Sequence, residues 1–192
     1  MNKLMGVVLL IAALGVGLII GVWQRADLSP RSTNVVNPGD PLPSPPAEKT
    51  ELIIDDASPG SLVMIPPEGW KPSLNGDTSH GGTAQFAKCD GTVKIAVFYA
   101  DIWDDTEYEV FAWWNQTIAQ YRCKNVPIII HARSGDIFSV IDQTTGQIQW
   151  NSLGRHRFKK GVHQPIVTFS TNGLPVSEEA CVIADAIKLV KE

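Results

Sequence analysis

The residues that most readily do chemistry are few, and none stands in a known catalytic motif. The three cysteines lack a CxxC pair, which argues against a zinc ribbon or a thioredoxin-type site. The four histidines are neither in an HExxH motif nor at zinc-finger spacing, and GxSxG and phosphate-loop motifs do not occur. The sequence therefore predicts no catalytic residue, no cofactor and no metal site.

Three carboxylates, Asp101, Asp104 and Asp105, are close enough in sequence to be considered as a catalytic pair. They come just before a segment with apolar residues at helical spacing, and acidic residues favour the first turn of a helix. A helix start therefore explains them without catalysis.

The cysteines are instead candidates for one disulfide. An oxidising compartment would permit one bridge and one free thiol among Cys89, Cys123 and Cys181. Cys181 falls in a predicted buried helix, where a small hydrophobe fits, so we expect Cys89 to pair with Cys123. The alternative is three reduced, packed cysteines.

Two surface features are candidates for partner binding. The segment RHRFKK contains Arg155, Arg157, Lys159 and Lys160, a basic cluster in a chain of net charge −4. Trp113 lies off the main apolar stripe of its predicted helix, so it could be an exposed interface anchor. The alternatives are a solvated loop and a wide buried face.

These residues must be positioned by helices and strands, and the order of those expected from the sequence predicts an α+β fold. In it, two helices pack against a mainly antiparallel sheet. Alternating or continuous apolar runs predict strands, among them Leu62–Ile65, Ala84–Ala87, Val93–Ala100 and Val126–Ala132. A hairpin is expected from 137–141 and 147–150, and a further strand over 165–170. Helices are predicted from about Asp104 to Arg122 and from Val176 to Val190.

The chain divides into three zones. Residues 1–23 contain an uncharged apolar run, 4–23, long enough for one transmembrane helix, with Ala13, Gly17 and Gly21 on one packing face. Residues 24–60 hold seven of the 13 prolines and predict a spacer, in which Leu52, Ile53 and Ile54 could add an edge strand. Residues 61–192 form the predicted globular domain.

The apolar run is longer than a signal-peptide core and leads into a poor cleavage site, although a cleaved signal peptide is the alternative. The short leading tail favours a cytoplasmic N-terminus. We therefore expect a single-pass protein of a bacterial inner membrane with a periplasmic domain. The near-neutral net charge of −4 gives no reason to expect a nucleic-acid partner.

The segment VMIPPEGWKP, Val63 to Pro72, resembles the opening of Mog1/PsbP-like domains of the DcrB type. The resemblance implies a similar α+β fold over 61–192 and a non-enzymatic accessory role.

We expect a non-catalytic accessory subunit that contacts other membrane-complex subunits through its membrane helix and its domain. An anchored hydrolase and a component of a secretion or conjugation assembly are the alternatives. Whether a small molecule binds stays open.

Overall fold

The structure, a computed structural model, describes residues 51–115 and 119–191 and consists of strands joined by loops and short 3-10 turns. The strands are β1 (Glu51–Asp55), β2 (Leu62–Ile65), β3 (Lys71–Pro72), β4 (Gln85–Lys88), β5 (Ile95–Ile102), β6 (Glu107–Trp113), β7 (Val126–Ala132), β8 (Gly135–Ile141), β9 (Asn151–Arg157), β10 (Gly161–Ser170), β11 (Cys181–Ala184) and β12 (Ala186–Lys191). The helical turns within these ranges are Pro67–Gly69, Gly76–Thr78, His80–Gly82 and Ala119–Tyr121.

The strands form three antiparallel sheets. Sheet A has the order β1-β12-β6-β9, sheet B the order β2-β5-β10-β7-β8, and the small sheet C the order β11-β4-β3. The inner faces of the sheets share one apolar core, to which Val110 and Leu189 contribute from sheet A and Phe98 and Phe169 from sheet B. Burial of these faces is the main favourable contribution to folding.

The segment 181–191 supplies one strand to sheet C and one to sheet A, and most of its residues are buried. Every residue of β11 is buried, and β12 carries the buried Ile187 and Leu189. The side chain of Gln143 bonds both backbone groups of Ile183, at 2.8 Å to N–H and to C=O, as a neighbouring strand would. A buried glutamine thus completes the pairing that a buried strand requires.

The α+β prediction is wrong, because both predicted helices are replaced by strands and turns. In the first, Glu107, Glu109, Phe111 and Trp113 alternate with buried Tyr108, Val110 and Ala112, a period of two that makes β6. Phe111 and Trp113 are apolar although they lie on the outer face, so the sequence does not alternate between apolar and polar residues there. Phe111 and Trp114, which are three residues apart and predict one apolar helix face, lie on β6 and directly after it, so that helix face does not exist.

The second predicted helix, Val176 to Val190, is β11 and β12 together with the loop before them. In β11 every residue is apolar and buried, so any spacing fits it, and a short apolar run of this kind cannot be assigned by periodicity alone.

The strand predictions fare better. The strand over Val126–Ala132 is confirmed with the same bounds, and those over Leu62–Ile65 and Val93–Ala100 correspond to β2 and β5. The hairpin from 137–141 and 147–150 is wrong, since β8 pairs with β7 and β9 begins at Asn151 and pairs with β6.

At the N-terminal end, β1 is an edge strand of sheet A and pairs with β12. It contains Leu52, Ile53 and Ile54, and it lies within the segment 24–60 that the sequence assigns to the spacer. The transmembrane segment 4–23 and its packing residues Ala13, Gly17 and Gly21 lie outside the described residues. Among those described, no helix is long and apolar enough to cross a membrane.

The structure joins Cys89 to Cys123 in a disulfide and leaves Cys181 as a buried free thiol. The bridge ties the end of β4 to the segment before β7. Both cysteines are themselves almost fully buried, at 2% and 6% exposure.

Thiol titration in denaturant tests this pairing. We expect one reactive thiol per chain without reductant and three with it. Closing a loop of 34 residues stabilises by about 3–4 kcal/mol in the chain-entropy description, so reduction should lower the free energy of unfolding by that order. Three thiols before reduction would contradict the bridge.

Asp185, at the join of β11 and β12, is a buried carboxyl with 1% exposure. Its Oδ1 accepts a hydrogen bond from the backbone N–H of His80 at 3.1 Å, whereas its Oδ2 has no hydrogen-bond partner among the described residues. Burial disfavours the charged form, and with nearby Asp56 and Asp55 it raises the pKa of Asp185 to about 9. The carboxyl is therefore neutral at pH 7.

Because the unfolded chain loses this proton near pH 4 and the folded chain keeps it to about pH 9, the free energy of unfolding should fall as pH rises through that interval. The slope from this group reaches about 1.4 kcal/mol per pH unit. Urea unfolding at a series of pH values should show the fall in the wild type and a flatter dependence in Asp185→Asn. Glu178→Gln, which removes an exposed carboxyl, controls for the change in charge. An unchanged slope in Asp185→Asn would contradict the assignment.

Candidate functional site

The crossing from sheet B to sheet A, residues 103–106, displays a tryptophan to solvent. Strand β5 ends at Ile102, which is 1% exposed and points into the core. Since side chains alternate along a strand, the next residue, Trp103, points outward and is 64% exposed. A large aromatic side chain left in water is a common anchor for a ligand or a partner.

Trp103 lies at a groove of about 460 Å³ between edge strand β1 and the end of β5. We call this the Trp103 groove. Its polar and aromatic lining includes Glu51, Ser58, Ser61, Tyr99, Asp101 and Asp104. A concave site with an apolar surface and a few convergent polar groups is the usual form of a ligand pocket.

The polar groups of the Trp103 groove are held in place by neighbours. The Oδ1 atom of Asp101 accepts a hydrogen bond from the backbone N–H of His163 at 2.8 Å, and Asp104 pairs with Lys191 at 3.3 Å. The Tyr99 ring stacks on His163, with centroids 4.2 Å apart. Each carboxylate retains capacity for further hydrogen bonds, because it can accept about four.

A second aromatic group covers the outer face of sheet A. The rings of Trp113 and Trp150 meet edge to face at 5.4 Å, and His80 lies 6.0 Å from the first and 5.1 Å from the second. The Lys188 ammonium lies 4.7 Å from the Trp150 ring centroid. These rings pack on one another, so they offer less open surface than Trp103.

Hydrogen bonds also fix this aromatic group. Trp113 donates its Nε1–H to the carbonyl of Thr78 at 3.2 Å, and His80 Nδ1 lies 2.6 Å from Asp55 Oδ2. The loop 78–80 is thereby tied to the sheet. We infer that the group holds this loop and covers sheet A.

The partner-surface residues predicted from sequence lie on or beside one face. Arg155 and Arg157 on β9 are register partners of Glu109 and Glu107 on β6, on the outer face that also carries Trp113. A bulge with Gly154 at positive φ keeps Ser152 and Arg155 on that same face. Lys159 and Lys160 are exposed in the loop after β9.

The three neighbouring carboxylates, Asp101, Asp104 and Asp105, have separate partners. Because no helix begins at Asp104, helix capping does not explain them: Asp101 bonds His163, Asp104 pairs with Lys191, and Asp105 pairs with Arg133. The hydrogen bond from Arg133 lowers the pKa of Asp105. Among the described residues, no group of three or more His, Cys, Asp or Glu could hold a metal ion.

Another groove, of about 670 Å³, crosses the outer face of sheet B. Phe138, which is 76% exposed, and Val140 lie there on edge strand β8, and the lining contains no charged side chain. It is poorly suited to a ligand rich in hydroxyl groups.

Sequence reasoning missed Trp103 and Arg133. The signal for Trp103 is its position three residues beyond the predicted strand Val93–Ala100, in phase with Tyr99 and the exposed Asp101. Nothing in the sequence pairs Arg133 with Asp105, because strand order alone brings them together.

The two larger sheets, A and B, packed around a common apolar core, define a β-sandwich domain. A sequence model of the Golvesin C-terminal domain family matches residues 53–191, so the chain belongs to that family. The resemblance to Mog1/PsbP-like domains is therefore wrong; the motif from Val63 to Pro72 is β2, a 3-10 turn and β3 in a β-sandwich.

Among solved structures, the chain is similar to a xanthan lyase from Paenibacillus, determined to 2.6 Å resolution, with a TM-score of 0.62 and 23% identity. The match covers 74% of this chain and 13% of the lyase chain, so the likeness is to one part of a much larger protein and concerns the fold. No curated protein matches the chain.

Proposed function

We propose that this chain is a non-catalytic glycan-binding module displayed outside the cytoplasm. The observation that carries the proposal is Trp103, 64% exposed beside a groove lined by fixed carboxylates and serines. The ligand class follows from the chemistry of that arrangement.

A sugar ring has an apolar face of C–H groups and a rim of hydroxyls. The face packs well on an aromatic side chain, since burying an aromatic surface is strongly favourable. The hydroxyls donate hydrogen bonds, and charged acceptors such as Asp101 and Asp104 make the stronger ones. The Trp103 groove offers both kinds of contact within one site.

The similarity to a solved structure also supports glycan binding. A domain with this fold is part of an enzyme named for the polysaccharide xanthan, where it accounts for 13% of the chain. A domain of that size beside a larger enzyme is consistent with a binding role.

For the location, we propose a bacterial inner-membrane protein with its N-terminus in the cytoplasm. The apolar run 4–23 would be the anchor and the Pro-rich segment the spacer. The disulfide between Cys89 and Cys123 supports an oxidising compartment for the domain. Contact with other membrane-complex subunits through Ala13, Gly17 and Gly21 stays a prediction.

The Trp103→Ala variant tests the proposal. Affinity electrophoresis of the full chain in gels containing xanthan, hydroxyethyl cellulose or dextran should show retardation of the wild type by at least one of them. Trp103→Ala should bind that polymer about tenfold more weakly, which corresponds to the loss of one aromatic contact of about 1.4 kcal/mol.

The matched control is Phe138→Ala, which removes another exposed aromatic ring, on the outer face of sheet B. It should migrate as the wild type does. Equal retardation of both variants would contradict a role for the Trp103 groove, and release of sugar fragments during incubation would favour the hydrolase alternative.

A further inference from the structure

A basic groove lies at the edge of the sandwich where β9 meets the turn between β7 and β8. It has a volume of about 640 Å³ and is lined by Glu107, Arg133, Ser134, Arg155, His156 and Arg157. We call this the arginine groove. It contains much of the basic cluster that the proposed function leaves unused.

Strand order builds this groove from distant parts of the sequence. Arg133 occupies the turn between β7 and β8 in sheet B, and its backbone N–H donates to the carbonyl of Arg157 in sheet A at 2.6 Å. That bond closes this edge of the sandwich. It also fixes the turn, with Arg133, beside strand β9, and β9 carries the other two arginines, Arg155 and Arg157.

The local charge is opposite to that of the chain. Arg133, Arg155, Arg157, Lys159 and Lys160 gather in or beside the groove, and the carboxylates near them are Asp105, Glu107, Glu109 and Asp136. In the lining itself three arginines face one carboxylate, Glu107, which leaves a positive excess there although the chain carries −4 overall. A local excess of this kind attracts anions.

The arginine groove and the Trp103 groove share one short segment of chain. Trp103 and Asp104 line the first, Glu107 lines the other, and Asp105 between them bonds Arg133. Arg157 and Lys160 are near enough to Asp105 to contribute, after Arg133, to lowering its pKa. Five residues span at most about 17 Å, so one oligosaccharide could contact both sites.

We propose that the arginine groove binds the acidic groups of a glycan whose sugar ring stacks on Trp103, so that the ligand is an acidic polysaccharide. This rests on the proposed function and names its substrate class. Guanidinium groups suit the task, because each can bind a carboxylate or a sulfate through two parallel hydrogen bonds.

The experiment measures affinity of the full chain for dextran, dextran sulfate and polygalacturonate. The variants are Arg155→Gln/Arg157→Gln and Trp103→Ala. The control Lys71→Gln/Lys124→Gln removes the same charge from exposed lysines that line neither groove. Thermal unfolding verifies that each variant is folded, and binding of the wild type at rising NaCl gives a measurement that needs no variant.

We expect an acidic polymer to bind about tenfold or more tightly than dextran, with an affinity that falls as salt rises. The arginine double variant should lose most of that preference, whereas the lysine control should keep it. A preference for polygalacturonate would identify carboxylate as the group bound, and a preference for dextran sulfate would identify sulfate.

Failure of the glycan-binding function and failure of the acidic-ligand proposal give different results. If neutral and acidic polymers bind equally and Trp103→Ala weakens both, the proposed function stands and the acidic class is overturned. If the arginine variant loses acidic binding but Trp103→Ala does not, the arginine groove stands and the Trp103 groove is overturned. No binding to any glycan, or binding to phosphatidylserine vesicles in preference to glycans, would overturn both.

Discussion

The buried segment 181–191 is the constraint on which the rest of the structure depends. A backbone in the core must have its hydrogen-bonding groups satisfied, so β11 and β12 need partners on both edges. Those partners come from widely separated positions: β4 and the Gln143 side chain for β11, and β1 and β6 for β12. Once β1 and β6 are fixed, the Trp103 groove follows, because β1 forms one side and the crossing into β6 carries the tryptophan.

Much of the sheet could be predicted, since apolar runs such as Val126–Ala132 are long, β-branched and bounded by polar residues. The helices could not be excluded by the same reasoning. In β6 the outward Phe111 and Trp113 conceal a period of two, and in β11 the burial of every residue removes the period. In both cases a partner strand, invisible to local pattern, decides the structure.

The candidate site was predictable only in pieces. The basic cluster and Trp113 could be identified from the sequence, but the place of Arg133 beside the cluster depends on strand order. The bridge between Cys89 and Cys123 follows from the sequence only by elimination of Cys181, which lies in β11 rather than in a helix. The aspartates illustrate the same point. A helix start explains them only if residues 104–122 form a helix. In a loop between two strands, Asp101, Asp104 and Asp105 instead bind three different partners on the two sides of Trp103.

The two grooves also differ in the sign of their net charge, and this difference sets the orientation of a bound glycan chain. Glu51, Asp101 and Asp104 line the Trp103 groove with Lys191 as its cation, so an acidic group placed there would face like charge. The arginine groove across the β5–β6 crossing has the opposite balance. A glycan that stacks on Trp103 therefore gains most when its acidic groups extend toward Arg133 and Arg157, and its hydroxyls toward Asp101. Specificity would then arise from the repulsion on one side of Trp103 as much as from the attraction on the other.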